Sequence, residues 1–292
     1  MRRLPRAMWV KRVGFRITAA MRIEHRARVA VVAEVARNTW RLDLDCPALA
    51  AEVRPGQFVM IEARAGGDPY LRRAFSVCDV LPGPSGRPER IVLLLAVIGV
   101  GTLALSERRP GEEAVVLGPL GRPYDLGDPA KPLLLVGGGI GTAPFPLVAR
   151  ARRAAGAKGP LRALFGFRDA AAVCLVREME ALGCPVTLCT DDGSAGLRGR
   201  VTEHLDAAMP PGASILACGP NPMFQALARA LEGRGVPCQV STEEPMACGT
   251  GICFGCVVPV RAPGGVRWAK SCVEGPVFPI EAIAWERVRS IH

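Results

Sequence analysis

Four cysteines, Cys248, Cys253, Cys256 and Cys272, constrain this chain more than anything else in it. They form a C-x4-C-x2-C run, with the fourth cysteine separated from the third by fifteen residues. This is the plant-type ligand spacing of a [2Fe–2S] cluster, in which one loop supplies three thiolates and a later segment the fourth. Gly249, Gly251 and Gly255 lie among them. A loop that wraps a cluster turns its amide N–H groups toward sulfur, which calls for backbone conformations that glycine adopts freely. Zinc also takes four cysteines, but typically from two separated C-x2-C pairs. The spacing favours iron–sulfur, with zinc as the rival.

At 292 residues and 31.0 kDa the chain has room for two domains and an appendage. Its eleven cysteines would suggest disulfides in a small secreted protein. No export signal is legible, and thiolate ligands must stay reduced, so the expectation is a reducing cytoplasm. The first 28 residues carry nine Lys/Arg and one acid, Glu24, a net of +8 out of the formal +10. The basic balance thus belongs to a tail, read as residues 1–25, and does not describe a nucleic-acid-binding face. Met21 is an alternative start just ahead of the first strand-like pattern. Ile91–Ile98 is too short to span a bilayer, and Leu133–Ala149 is broken by four glycines and two prolines, so no membrane span is expected.

Over residues 26–130 short β-branched runs alternate with turn residues, as in Arg28–Val35, Trp40–Leu44, Gln57–Glu62, Ala74–Val77, Ile91–Val97 and Glu113–Leu117. This rhythm predicts a small antiparallel β-barrel, with Leu81–Glu89 as an exposed connection. Over residues 131–240 it changes to strand–helix alternation. Apolar runs at Leu133–Val136, Ala163–Phe167, Val186–Thr190, Ser214–Ala217 and Cys238–Val240 flank helical stretches at Pro146–Ala155, Val173–Leu182 and Pro222–Leu231. Five such strands predict a parallel, doubly wound α/β sheet. Residues 241–292 form the cysteine module, ending in a short helical run near Ala282–Val288.

Three motifs carry nucleotide chemistry. Arg73-Ala74-Phe75-Ser76 offers a cation for a pyrophosphate, an apolar surface for a flavin ring and a hydroxyl for its N5 edge. Gly99-Val-Gly101-Thr102 follows the next apolar strand and precedes a helix start, where backbone N–H groups favour phosphate. Gly137-Gly138-Gly139-Ile-Gly141-Thr142 follows the first strand of the parallel sheet, and Pro144 suits a helix start just after it. With Thr142 in the place of a third glycine it is no G-x-G-x-x-G fingerprint, yet it still reads as a nucleotide-binding loop. Cys218-Gly-Pro220 ends the fourth strand, where Cys218 faces a nicotinamide or is a buried thiol. At the second and third strand ends, Arg168-Asp169 and Asp191-Asp192 bear on the nucleotide's 2′-position. His25, His204 and His292 are scattered and suggest no catalytic triad.

Taken in order, these motifs resemble the ferredoxin–NADP reductase superfamily, and within it the electron-transfer subunits of NAD-linked dihydroorotate dehydrogenases. The resemblance covers about residues 22–280 and includes Gly118-Pro-Leu-Gly121, Thr190-Asp-Asp-Gly-Ser194, Glu243–Cys256 and Cys272–Phe278. It implies FAD at Arg73–Ser76, Leu94, Leu95, Ala96, Gly101 and Thr102, and a [2Fe–2S] cluster on the four cysteines. It implies NAD(H) as the nucleotide and an FMN-containing dihydroorotate-oxidising partner in a heterotetramer. Two places depart from the family: Ala96 stands where an arginine is usual, and Ala74-Phe75 where a proline and a small aliphatic residue are usual. The rival functions are a flavin reductase subunit serving ferredoxin or a sulfur- or hydrogen-handling partner, and a zinc-stabilised scaffold.

Overall fold

The structure, a computed structural model, describes residues 23–64 and 66–288. The remainder of the basic tail and Met21 lie outside the described residues. The first strand, β1, runs Ile23–Ala36 and so begins inside the span read as tail. Along it His25, Ala27 and Val29 are buried while Arg26 and Arg28 are exposed, the period-two pattern of a strand with one wet face. It is followed by β2 (Thr39–Asp45), helix α1 (Pro47–Glu52), β3 (Phe58–Ile61), β4 (Arg73–Pro82), β5 (Pro88–Ala96), helix α2 (Val100–Ser106) and β6 (Glu113–Leu120). The strands close into a barrel in the order β1-β2-β5-β4-β3-β6, leaving no free sheet edge. Leu42, Leu44, Val59, Ile61, Val77, Leu93, Leu95 and Val116 fill its interior, and α1 plugs one end with Leu49 and Ala50. β4 extends to Pro82 and pairs with β5 down to Pro88, so the connection expected over 81–89 shortens to a hairpin turn.

β7 (Leu133–Gly138), α3 (Phe145–Ala154), β8 (Leu161–Phe167), α4 (Val176–Ala181), β9 (Val186–Thr190), β10 (Leu197–Arg198), α5 (Leu205–Ala208), β11 (Ser214–Cys218), α6 (Asn221–Leu231) and β12 (Cys238–Ser241) form the α/β layer. β13 (Val257–Ala262), β14 (Gly265–Lys270), α7 (Ser271–Glu274) and β15 (Val277–Pro279) complete the chain. The sheet order is β10-β9-β8-β7-β11-β12-β15. All neighbours pair parallel except β12 and β15. The five expected parallel strands are present, but the sheet is larger because the cysteine segment returns β15 to its edge. Two residues of β10 extend the other edge. The helical run expected near Ala282–Val288 is instead two 3-10 turns, Ile280–Ala282 and Trp285–Arg287. Trp285 packs on Phe224 of α6, with ring centroids 5.7 Å apart, so tertiary contact outweighs helical continuity there.

Polar ties hold the barrel to the sheet. Arg150 of α3 grips Asp79 of β4 through two bonds of 2.7 Å. Arg37, in the β1–β2 turn, pairs with Asp169 and donates its backbone N–H to Ala171 O. The buried Tyr124 hydroxyl donates to Ala217 O at 2.9 Å, which fixes the irregular segment linking barrel and sheet against β11.

Candidate functional site

Arg73 stands at the first position of β4, and its guanidinium donates to the main-chain carbonyls of Pro69 and Leu71. It lies flat on Gly101 in the first turn of α2: a Cβ placed there would sit 2.0 Å from Arg73 Nε. Two motifs separated by a whole strand are thus in contact. The Thr102 hydroxyl is spent on its own turn, accepting from the Ile98 and Gly99 N–H groups at 3.0 and 3.2 Å and donating to Gly99 O. Phe75 is half-buried against the barrel interior, so much of its ring serves packing. Leu95 points inside the barrel and leaves only its backbone to a ligand, whereas Leu94 faces outward with Cys78 and Val92 against Ile140 and Ala143. Ala74, Ser76 and Ala96 remain partly accessible.

The glycine-rich loop after β7 meets the Cys218 loop after β11. A Cβ on Gly141 would lie 2.4 Å from Cys218 O, and one on Gly138 would lie 2.8 Å from Met223 Sδ. Gly137 abuts Thr142 and Phe145, while Gly139 takes φ +54° with open space around it. The two loops meet at the carboxyl ends of two adjacent central strands, the position open α/β sheets reserve for ligands. Cys218 is buried, and that burial, reinforced by Glu243, pushes its thiol up to about 12. It is a neutral thiol, not a nucleophile. The acids expected to read the 2′-position are mostly engaged: Asp169 by Arg37, and Asp192 by the Ser194 N–H and hydroxyl. Arg168 and Asp191 stay exposed.

The four cysteines fall into two linked pairs. Cys253 donates to the Cys248 sulfur, and the Cys272 N–H points to Cys256 Sγ at 3.4 Å. Further N–H groups from Thr250 and Gly255 approach Cys248 and Cys253 Sγ at 3.3 and 3.5 Å. Burial raises the Cys248 thiol, but these hydrogen bonds outweigh it and hold it down at about 5. Cys272 is pushed up to about 12 by burial and by the neighbouring Cys256 and Cys248 sulfurs. Such a set cannot ionise fully without cationic charge between the pairs. Among the described residues no three His, Cys, Asp or Glu side chains converge as around a single ion. Paired thiols match the two-per-iron demand of a two-iron cluster. Gly249 and Gly251 adopt φ +65° and +83°, the left-handed turns expected of them, whereas Gly255 does not and the neighbouring Phe254 takes φ +58° instead.

This loop rests on the barrel wall formed by β3 and β6, beside the strand that carries Arg73–Ser76. A Cβ on Gly249 would lie 2.6 Å from Met60 Cγ of β3, and Met60 is the register partner of Ala74. Phe58, Met60 and Leu120 share an apolar cluster with Cys256 and Cys272, and Ala74 packs on it.

Glu243 and Glu244 escaped the sequence reading. They follow β12 and reach the Cys218–Asn221 loop; burial, then Glu243, pushes Glu244 up to about 7 despite a hydrogen bond with Asn221. A paired acid just ahead of a cysteine loop was the available signal, but only the fold brings it to Cys218. A cavity of about 580 Å³ opens between the Asp79–Leu81 end of β4 and α4; Leu94, expected to contact FAD, lines it, and none of the nucleotide-loop glycines does.

Comparison with known proteins agrees with this layout. The iron–sulfur cluster binding domain of dihydroorotate dehydrogenase B matches residues 243–284, and an oxidoreductase NAD-binding domain matches residues 135–229. The electron transfer subunit of dihydroorotate dehydrogenase B (NAD(+)) from Desulforamulus reducens is 36% identical over 265 residues, covering 89% of this chain and 98% of the relative. Its counterpart from Geobacillus thermodenitrificans is 38% identical over 258 residues, 87% and 96% of the two chains. Among solved structures, an NADH-dependent reduced ferredoxin-NADP oxidoreductase aligns with a TM-score of 0.76 at 29% identity, over 89% of this chain and 90% of the other. Phthalate dioxygenase reductase shares the fold at a TM-score of 0.59 and 18% identity, over 89% and 96% of the chains. With identity at this level spanning nearly the whole of both chains, the protein belongs to the family of dihydroorotate dehydrogenase B (NAD(+)) electron transfer subunits.

Proposed function

We propose that this chain passes electrons from a dihydroorotate-oxidising partner subunit to NAD⁺, through a [2Fe–2S] cluster and FAD. The observation that carries the reading is the shared wall at Met60, with the cysteine loop on one side and the flavin strand on the other. FAD, when bound, exchanges hydride with a nicotinamide and single electrons with an iron–sulfur centre, which reconciles two-electron and one-electron chemistry. The chain's own residues bind and orient. Arg73, seated on Gly101, offers its guanidinium to the pyrophosphate. Gly138 and Gly141 let the loops after β7 and β11 pack backbone against backbone, Gly139 offers open main chain to the nicotinamide nucleotide, and the neutral Cys218 thiol closes that site without charge. Cys248, Cys253, Cys256 and Cys272 would hold the cluster, the backbone N–H groups around Cys248 and Cys253 stabilising their thiolates.

The partner in this reading carries FMN and assembles with this chain as a heterotetramer. All eleven cysteines are free, which supports a reducing, cytoplasmic setting. Among the described residues no helix is long and apolar enough to cross a membrane. A second reading, reduction of a ferredoxin-type partner, draws on the resemblance to the ferredoxin-linked oxidoreductase.

The test is anaerobic reconstitution with a dihydroorotate dehydrogenase catalytic subunit, following NADH formation from dihydroorotate. Wild type supports it. Cys253→Ser loses both this activity and the iron–sulfur absorbance, while NADH still reduces its FAD. A wild-type chain carrying zinc and no acid-labile sulfide would refute the relay.

A further inference from the structure

Tyr124 and Cys218 belong to the apolar cluster beneath the nucleotide loops, and Ser241 is buried beside them. Ser241 of β12 is the register partner of Cys218 in the parallel β11–β12 pair, so the two side chains lie next to each other on one face of the sheet. The Ser241 hydroxyl hydrogen-bonds with both the Cys218 thiol and the Tyr124 hydroxyl. Its place is fixed by the next residue, since the Thr242 N–H and hydroxyl both donate to Pro276 O, at 2.9 and 3.2 Å.

The direction of this chain of bonds follows from its last member. A main-chain carbonyl can only accept, so the Tyr124 hydroxyl spends its one proton on Ala217 O, at 2.9 Å. The Tyr124 oxygen is then left to accept from Ser241. Having given its own proton to Tyr124, Ser241 has only lone pairs for Cys218 and accepts the S–H. Burial and the neighbouring Glu243 keep that thiol protonated, so it has the proton to give. The S–H thus points back toward β12 and the sulfur lone pairs turn the other way. Gly137, the register partner of Cys218 on that side, has no side chain to cover them. A nicotinamide ring is positively charged when oxidised and neutral when reduced, so a sulfur lone pair facing it favours the oxidised form.

We infer that Ser241, backed by Tyr124, is a positioning residue that holds the Cys218 thiol with its lone pairs toward the nicotinamide. The site thereby binds NAD⁺ more tightly, relative to NADH, than it would with the thiol free to turn. The inference rests on the reading that the glycine loop and Cys218 form the nicotinamide site.

The experiment titrates NAD⁺ into the oxidised cofactor-loaded chain and NADH into the dithionite-reduced chain by calorimetry. Ser241→Ala removes one neutral hydrogen bond, so Kd for NAD⁺ rises about 2- to 10-fold while Kd for NADH stays within about 2-fold. Tyr124→Phe hands the Ser241 proton to the sulfur, turns the S–H outward and gives the same split. In a Cys218→Ala background, Ser241→Ala leaves the ratio of the two constants unchanged, because the thiol it acts through is gone. A merely structural role would weaken both nucleotides together. An unchanged ratio in Ser241→Ala, or a split that persists without Cys218, overturns the inference while the relay stands. If Cys218→Ala alone alters the binding of neither nucleotide, the reading of Cys218 at the nicotinamide fails and the inference falls with it.

Discussion

Replacing Gly101 with alanine separates binding from stability in a way that tests the site directly. The new Cβ would lie 2.0, 2.4 and 2.5 Å from Arg73 Nε, Cζ and Nη2, so something must move. These three nearest atoms belong to the far end of a flexible side chain, and Gly101 itself is helical, within α2. The backbone therefore has no reason to shift. Alanine gains up to roughly 1 kcal/mol over glycine in a helix, so the apoprotein should melt at the same temperature or slightly higher. Arg73, by contrast, is driven off its seat and would lose the charge-assisted bond to the FAD pyrophosphate proposed for it. That bond is worth about 1.5–3 kcal/mol, or about 10- to 150-fold in affinity. FAD titration into apoprotein, followed by quenching of flavin fluorescence, measures the effect, with melting curves in parallel. Because both changes act through one contact, Gly101→Ala combined with Arg73→Ala should weaken FAD no further than Arg73→Ala alone. An unchanged FAD affinity in Gly101→Ala, or fully additive effects in the double variant, would refute the shared site.

Two more outcomes follow from the nucleotide side. Glu244 has its pKa raised from 4.5 to about 7, so the folded state holds its proton more tightly than the unfolded chain. Its contribution is fully present below about pH 4.5 and is lost as pH rises toward 7, so the melting temperature should fall over that window and Glu244→Gln should flatten the fall. An identical pH slope in the variant would count against the burial argument. NADH should reduce the bound FAD much faster than NADPH in stopped flow, because Asp191 stays exposed at the end of β9. Equal or faster reduction by NADPH would point instead to Arg168 as a 2′-phosphate site.

The sequence by itself determined the parts whose chemistry is local. Short β-branched runs between turn residues marked the barrel strands, apolar runs alternating with helical stretches marked the parallel strands, and the cysteine spacing with its interleaved glycines marked the cluster loop. Each depends on neighbours within a few residues, so spacing alone records it. Only the tertiary structure decided what those parts do to one another. It seated Arg73 on Gly101, tied Asp169 to Arg37 so that the acid expected to offset Arg168 became a clasp between barrel and sheet, and brought Glu244 to the Cys218 loop. It also turned Phe75 and Leu95 toward the barrel interior and returned β15 to the nucleotide sheet. Above all it laid the cysteine loop against Met60, the register partner of Ala74. The residues meeting there are nearly two hundred positions apart. Contacts at such separation come from barrel closure and sheet docking, and short-range periodicity carries no trace of them.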